Sequence, residues 1–272
     1  MKGQKYLYGE MTWAEINEAV AQKRVALLPT GSIEVHGPHL PLDTDAVIAF
    51  GVCRHAAERM PDRVVVLPPV SFGICPYHVD FPGSISIDYD TFMAYVFNIC
   101  QAVVYHGLTR MLLVNAHGGN HSALDIVAKR INVANPGALC ASVSYYLMPN
   151  SRTIRREVQE PDVRGSMSHG GIVETSLYLA LNSNPVDMAK AVTEKLPPWS
   201  NLGFSTEDAP VTTMPFWSAI TSSGVLGDAT RASVEIGRRL LDAAAEDLKL
   251  AVEEMARVEP GARVDHHVPR KF

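Results

Sequence analysis

Short uninterrupted apolar runs alternate along the chain with longer stretches in which apolar residues recur every three or four positions. The first pattern predicts buried strands and the second amphipathic helices. Val25-Ala26-Leu27-Leu28-Pro29 is such a run, and it breaks at Thr30-Gly31-Ser32, where a loop is expected. Residues 63–67 form a second run, closed by Pro68-Pro69. Met111-Leu112-Leu113-Val114-Asn115 is the clearest central strand, and residues 139–146 form another. The helical period predicts helices over 13–22 with Thr12 as N-cap, 45–60, 89–106 with Gly107 as the stop, 121–134, 171–181 and 229–256. Three stretches lack a period: a Gly- and Pro-rich loop over 70–86, a polar segment over 149–168, and an irregular region over 183–224. Strand–helix alternation without repeats or low-complexity linkers predicts one α/β domain over 1–272, with a mainly parallel sheet flanked by helices. In such sheets the functional site lies at the carboxyl ends of the strands.

Composition adds little and excludes some classes. At 272 residues the chain is long enough to bury a core without staples, and a formal charge of −5 points to neither nucleic acid nor an anionic membrane as partner. Cys53, Cys75, Cys100 and Cys140 are far apart with no CxxC pair, as expected for reduced thiols in a cytoplasmic protein. The amino terminus lacks the apolar core of a signal peptide, and no apolar run reaches the roughly 18 residues of a membrane span. A soluble, cytoplasmic protein is expected.

The chemistry is concentrated after the predicted strands. Gly31-Ser-Ile-Glu34-Val-His36-Gly-Pro-His39-Leu-Pro-Leu-Asp43-Thr-Asp45 packs five ligand-type side chains into one loop. Glu34 and His36 are two apart, so in extended backbone they face one side. Asp45, at a helix start, can bridge two cations through its two oxygens. Any one of these residues alone is explained by capping or solvation, but their clustering at a strand end favours metal. The second motif, Asn115-Ala-His117-Gly-Gly-Asn120-His121, places His117 as a ligand where the chain leaves the sheet. Asn120 reads equally as an N-cap or as a support for the site, and His121 as a solvent-facing helix start. The third, Ser168-His169-Gly170-Gly171-Ile-Val-Glu174-Thr175, offers His169 and Glu174 for acid–base chemistry or for closing the coordination shell. His78, in the long loop, reads either as lining the site or as surface. No GxSxG, P-loop or GxGxxG is present.

Taken together, GSIEVHGPHLPLDTD, HVDFPGSIS, LLVNAHGGNH and SHGGIVETS resemble, in order, the segments of the creatininase family of amidohydrolases. The resemblance spans roughly residues 25 to 182. It implies a creatininase-like layered fold, a binuclear divalent-metal site and a homo-oligomer, often a hexamer. It implies Glu34, His36, Asp45 and His117 as metal ligands with Asp45 bridging, and His169 and Glu174 lining the site. Creatininase itself has a metal-binding Glu where this chain has Gly119, and a tryptophan where it has Gly165. The pair of glycines is similar instead to other branches of the family, the formamide deformylases of flavin and deazaflavin biosynthesis and a peptidase of redox-cofactor maturation. With Gly119 unable to bind, Glu174 becomes the fifth ligand.

The expected activity is hydrolysis of a C–N bond in a small cyclic amide or formamide by attack of metal-bound hydroxide. Two Zn, Mn or Fe ions would serve, with His169 as proton donor. The alternatives are opening of a lactone or carbocyclic ring in sugar or inositol breakdown, and a non-catalytic metal-binding protein. His78 and Tyr146 are the candidate substrate-lining residues. Trp199, Phe204, Phe216 and Trp217 read either as pocket wall or as core or subunit contacts.

Overall fold

Every residue of Val25–Thr30, strand β1, is buried, and the fold is layered around it. The computed structural model describes residues 4–158, 169–195, 213–262 and 264–267. β1 pairs in parallel with β2 (Val64–Val66) on one side and β3 (Arg110–Asn115) on the other, and β3 pairs in parallel with β4 (Leu139–Ser144). The resulting order is β2-β1-β3-β4. A parallel sheet covered on both faces leaves no polar side, which is why these strands read as unbroken apolar runs rather than as alternation.

Side chains alternate across the sheet and sort into two cores. Val25 and Leu27 of β1 face α2 (Thr44–Arg59), α6 (Ile172–Leu181) and α7 (Val234–Arg257). Ala26 and Leu28 face α3 (Tyr89–Tyr105) and α4 (His121–Ala134), with Ala19 of α1 (Trp13–Ala21). The register aligns Thr30, Asn115 and Ser144 across three strands, a polar row at the carboxyl edge of the sheet. Thr12 caps α1 as the sequence predicts, within a reciprocal capping box with Glu15. Among the described residues no helix is long and apolar enough to cross a membrane.

Three elements depart from the sequence reading. The polar segment expected over 149–168 begins with a helix, α5 (Pro149–Val158). Its start is capped from far along the chain. The buried Asp247 of α7 accepts hydrogen bonds from Asn150 N (3.0 Å), Asn150 Nδ2 (2.9 Å), Ser151 N (2.7 Å) and Ser151 Oγ (2.7 Å). α7 itself starts at Val234 rather than at residue 229, because Ser233 supplies the cap to Ile236 N. The described residues of the region 183–224 contribute a short strand β5 (Thr193–Glu194), antiparallel to β6 (Gly227–Asp228), and two 3-10 turns, Met188–Lys190 and Trp217–Ala219. Trp199 and Phe204 lie outside the described residues.

Replacing Asp247 leaves two amide N–H groups at the α5 start without their acceptor. Asp247→Ala is expected to lower the free energy of unfolding by about 2–4 kcal/mol, and Asp247→Asn by less. Urea denaturation of both variants measures this.

Candidate metal centre

The loop after β1 is held against the start of α2 by close backbone contact. A Cβ at Gly31 would lie 2.6 Å from Ala46 Cα and from the Asp45 carbonyl carbon, so only glycine permits this approach. The contact delivers Asp45, in the first turn of α2, to the carboxyl end of β1. The partial positive charge of the helix start favours a carboxylate there. On β3, Asn115 clamps the outgoing chain: its Oδ1 accepts from His117 N (3.1 Å) and its Nδ2 donates to His117 O (2.7 Å). Asn120 does not cap α4. It ties two loops together, accepting from Ile74 N (3.0 Å) and donating to Gly31 O (2.9 Å).

These supports bring all five sequence-predicted ligands together. Asp45 stands between two histidines, with Oδ1 3.1 Å from His36 Nε2 and Oδ2 3.2 Å from His117 Nδ1. Glu34 Oε1 lies 3.1 Å from His117 Nδ1, and Glu174 Oε2 lies 3.7 Å from His36 Nε2. Two triads therefore share Asp45: Glu34, Asp45 and His117, and His36, Asp45 and Glu174. A third possible grouping joins Glu34, His36 and His169.

The donor set fits divalent cations. His36 donates from Nδ1 to Glu34 O (3.1 Å) and His117 from Nε2 to Ile74 O (2.9 Å). Each anchor uses up the ring N–H and turns the other nitrogen, a lone pair in the neutral imidazole, toward the carboxylates. Glu34 Oε2 and Asp45 Oδ2 are buried without a hydrogen-bond partner. Without a cation only protons can supply the missing positive charge. Burial alone would lower the His36 imidazole, but Asp45, Glu174 and Glu34 together lift it to about 10. His117 is likewise raised well above 6.5, burial being overcome by Glu34 and other neighbours. Burial would raise Asp45, but His36 and His117 hold it below the usual carboxylate range. Glu174 is pushed up to about 7, chiefly by burial, against the attraction of His36.

The remaining candidates surround this centre. His169 donates from Nε2 to Val35 O (2.6 Å), its Nδ1 is 3.8 Å from Glu34 Oε1, and its ring stacks on His36. Burial and the neighbouring His36 lower its pKa well below 6.5. His78 is buried rather than on the surface, with Nε2 3.8 Å from Glu34 Oε1. Tyr146 is half-buried beside the turn that carries His117, edge-on to Tyr145. His39 lies behind the centre, with Nε2 2.9 Å from Thr175 Oγ1, and His121 is half-buried with Nδ1 3.1 Å from Ser144 Oγ. No side chain fits at Gly119, where a Cβ would overlap the Ile74 carbonyl oxygen and the Tyr77 hydroxyl. Sequence reasoning missed the Asn115 clamp and did not assign Trp217. The indole of Trp217 stacks on His78 and meets His169 edge-on. The Asn115 clamp is local and could be found from an Asn two residues before a ligand, whereas nothing in the spacing announces Trp217.

Because the buried carboxylates favour the protonated imidazoles of His36 and His117, a cation binding between them competes with protons. Titration of Zn²⁺ or Mn²⁺ into stripped protein is expected to release about one proton per histidine, and to tighten as pH rises toward the raised histidine values. Calorimetry in two buffers of different ionisation enthalpy checks this, and binding without proton release would contradict it.

A sequence profile described as creatinine amidohydrolase matches residues 9–252. The creatinine amidohydrolase of Pseudomonas putida is 29% identical over 265 residues, covering 90% of this chain and 95% of that protein. The mycofactocin precursor peptide peptidase of Mycobacterium ulcerans is 30% identical over 245 residues, covering 86% of each. A creatininase solved in a manganese form superposes with a TM-score of 0.75 at 27% identity, over 92% of this chain and 98% of that one. The layered α/β fold expected from the sequence is thus the creatininase fold, and the profile match over most of the chain completes the assignment: this protein belongs to the creatininase family of metal-dependent amidohydrolases.

Proposed function

We propose that this enzyme uses two divalent cations to hydrolyse a C–N bond in a small cyclic amide or formamide. The observation that carries the reading is the placement of Asp45, whose two oxygens face His36 and His117 separately at 3.1 and 3.2 Å. Glu34, Asp45 and His117 would hold one cation, and His36, Asp45 and Glu174 the other. The two relatives described above differ in substrate but, by their names, share hydrolysis of an amide-type bond. The cations, zinc, manganese or iron, would supply Lewis acidity, lowering the pKa of a bound water toward neutrality and polarising a carbonyl.

The protein's own groups do the rest. Glu34, Asp45 and Glu174 fix the negative charge that holds the cations in place. His169 is locked by its Nε2–H on Val35 O, which leaves Nδ1 as the basic position facing Glu34. That nitrogen is the one placed to take a proton and pass it to a leaving nitrogen. His78 and Tyr146 would line the substrate. A homo-oligomer, hexameric by the family resemblance, is the proposed assembly, and light scattering measures it.

Metal analysis of the purified protein is expected to give two equivalents per chain. Asp45→Asn should hold fewer, and should lose activity by a factor on the order of 10³ against the best substrate of an amide, lactam and formamide panel. Mass spectrometry should find a released amine or ammonia. Ring opening without nitrogen release would favour the lactone or carbocycle reading instead. Full activity of metal-stripped Asp45→Asn would sink both.

A further inference from the structure

Four histidines surround Glu34, and three of them are anchored in the same way. His36, His117 and His169 each place one ring nitrogen on a backbone carbonyl, of Glu34, Ile74 and Val35 respectively. His78 has no such anchor. Its Nδ1 is buried without a hydrogen-bond partner, and its Nε2 stands 3.8 Å from Glu34 Oε1. Among the described residues, packing against aromatic rings is the main restraint on the orientation of this ring. The closest face is Trp217, stacked at a centroid distance of 4.6 Å and an interplanar angle of 24°, followed by Tyr77 and His169, each at 4.9 Å and tilted. Trp217 also meets His169 edge-on at 4.8 Å.

Trp217 is fully buried and would pass for ordinary core, since it packs with Val35, Ile220 and Leu226. The segment that carries it is nonetheless fastened to the two elements bearing these histidines. Ser218 Oγ donates to the carboxylate of Asp80, two residues after His78. Leu226 pairs with His169 through both backbone bonds, at 3.1 and 2.8 Å. The indole Nε1–H donates to Gly224 O (3.2 Å), and the Glu194 carboxylate binds the turn between by accepting from Thr221 Oγ1, Ser222 N, Ser223 N and Ser223 Oγ. A strap over 214–226 is thus tied at both sides of the centre, with one flat ring pressed between.

We infer that Trp217 is a positioning residue of the active site, holding the otherwise unanchored His78 ring, and with it His169, in fixed orientation toward Glu34. The inference rests on the metallohydrolase reading for its effect on turnover, but the ring orientation itself is measurable without substrate or metal. Stacking fixes the plane of the ring and restricts its motion about the Cα–Cβ and Cβ–Cγ bonds. Loss of that plane lets His78 rotate, and a side chain misplaced by about 1 Å near reacting atoms costs on the order of 100-fold in rate.

The test compares Trp217→Leu, which keeps an apolar side chain but no flat face, with Trp217→Phe, which keeps a ring. In protein with ¹³C-labelled histidine, relaxation of the His78 ring C–H groups is expected to show a rigid ring in the parent and in Trp217→Phe. In Trp217→Leu it should show a mobile ring, while the exposed His106 stays unchanged. Zn²⁺ affinity should remain within about threefold, since the carboxylate and imidazole ligands are untouched. On whichever amide the panel identifies, kcat should fall about 10–100-fold with KM nearly constant, and Trp217→Phe should restore most of it. Unchanged His78 ring signals in Trp217→Leu would overturn the inference, whatever the activity. If that variant does not fold, Ser218→Ala combined with Glu194→Gln loosens the strap from outside and is read by the same signals. If the parent protein binds no Zn²⁺, the hydrolase reading fails while the NMR result still decides the role of Trp217.

Discussion

Glu34 and Asp45 are buried side by side, each with a carboxylate oxygen that no hydrogen-bond donor meets, and the partly exposed Glu174 closes on the same space. An isolated buried carboxylate costs many kcal/mol unless a cation, a proton or several hydrogen-bond donors meet it. The surrounding protein supplies few donors. It spends the ring N–H groups of His36, His117 and His169 on backbone carbonyls and turns their lone pairs inward. Such an interior is balanced by positive ions, and in their absence by protons on His36 and His117. The geometry of every neighbouring element follows from keeping these groups in register.

That register is set by rigid parts. β1 and β3 end at the same level of the sheet, through the pairing of Thr30 with Asn115, so the loops carrying Glu34, His36 and His117 leave from adjacent points. Asp45 and Glu174 come from the first turns of α2 and α6, two helices that pack on the same face of the sheet. The long loop after β2 is drawn in by two ties, Asn120 to Ile74 N and His117 to Ile74 O, and in consequence presents His78 to the centre. Ligands borne on element ends and tied by buried amides are held more tightly than ligands on free loops.

The parts legible in the sequence are those whose cause is local. All four strands of the main sheet were readable because a sheet buried on both faces writes unbroken apolar runs. Glu34, His36, Asp45 and His117 were readable because they crowd two short loops directly after two of those runs. α5 was not readable: its residues are polar, and the carboxylate that caps it lies 97 positions away from Asn150. The burial of His78 and the part played by Trp217 were equally hidden, because a stack between residues in separate aperiodic segments leaves no spacing to detect. Gly119 was visible as a departure from creatininase, but its reason, the Ile74 carbonyl and the Tyr77 hydroxyl occupying the space of a side chain, needed the fold. A ligand at 119 therefore cannot be regained by substitution there alone.

The capping of α5 by Asp247 also orders events in time. At ribosomal speeds of about 5–20 residues per second, Asp247 is made roughly 5–20 s after the segment it caps. Until then Asn150 and Ser151 have water where the native state has a carboxylate. The start of α5 thus has no native cap until the last helix is made. Glu34, His36, Asp45 and His117 are all made before α6, so Glu174 is the last of the five to leave the ribosome.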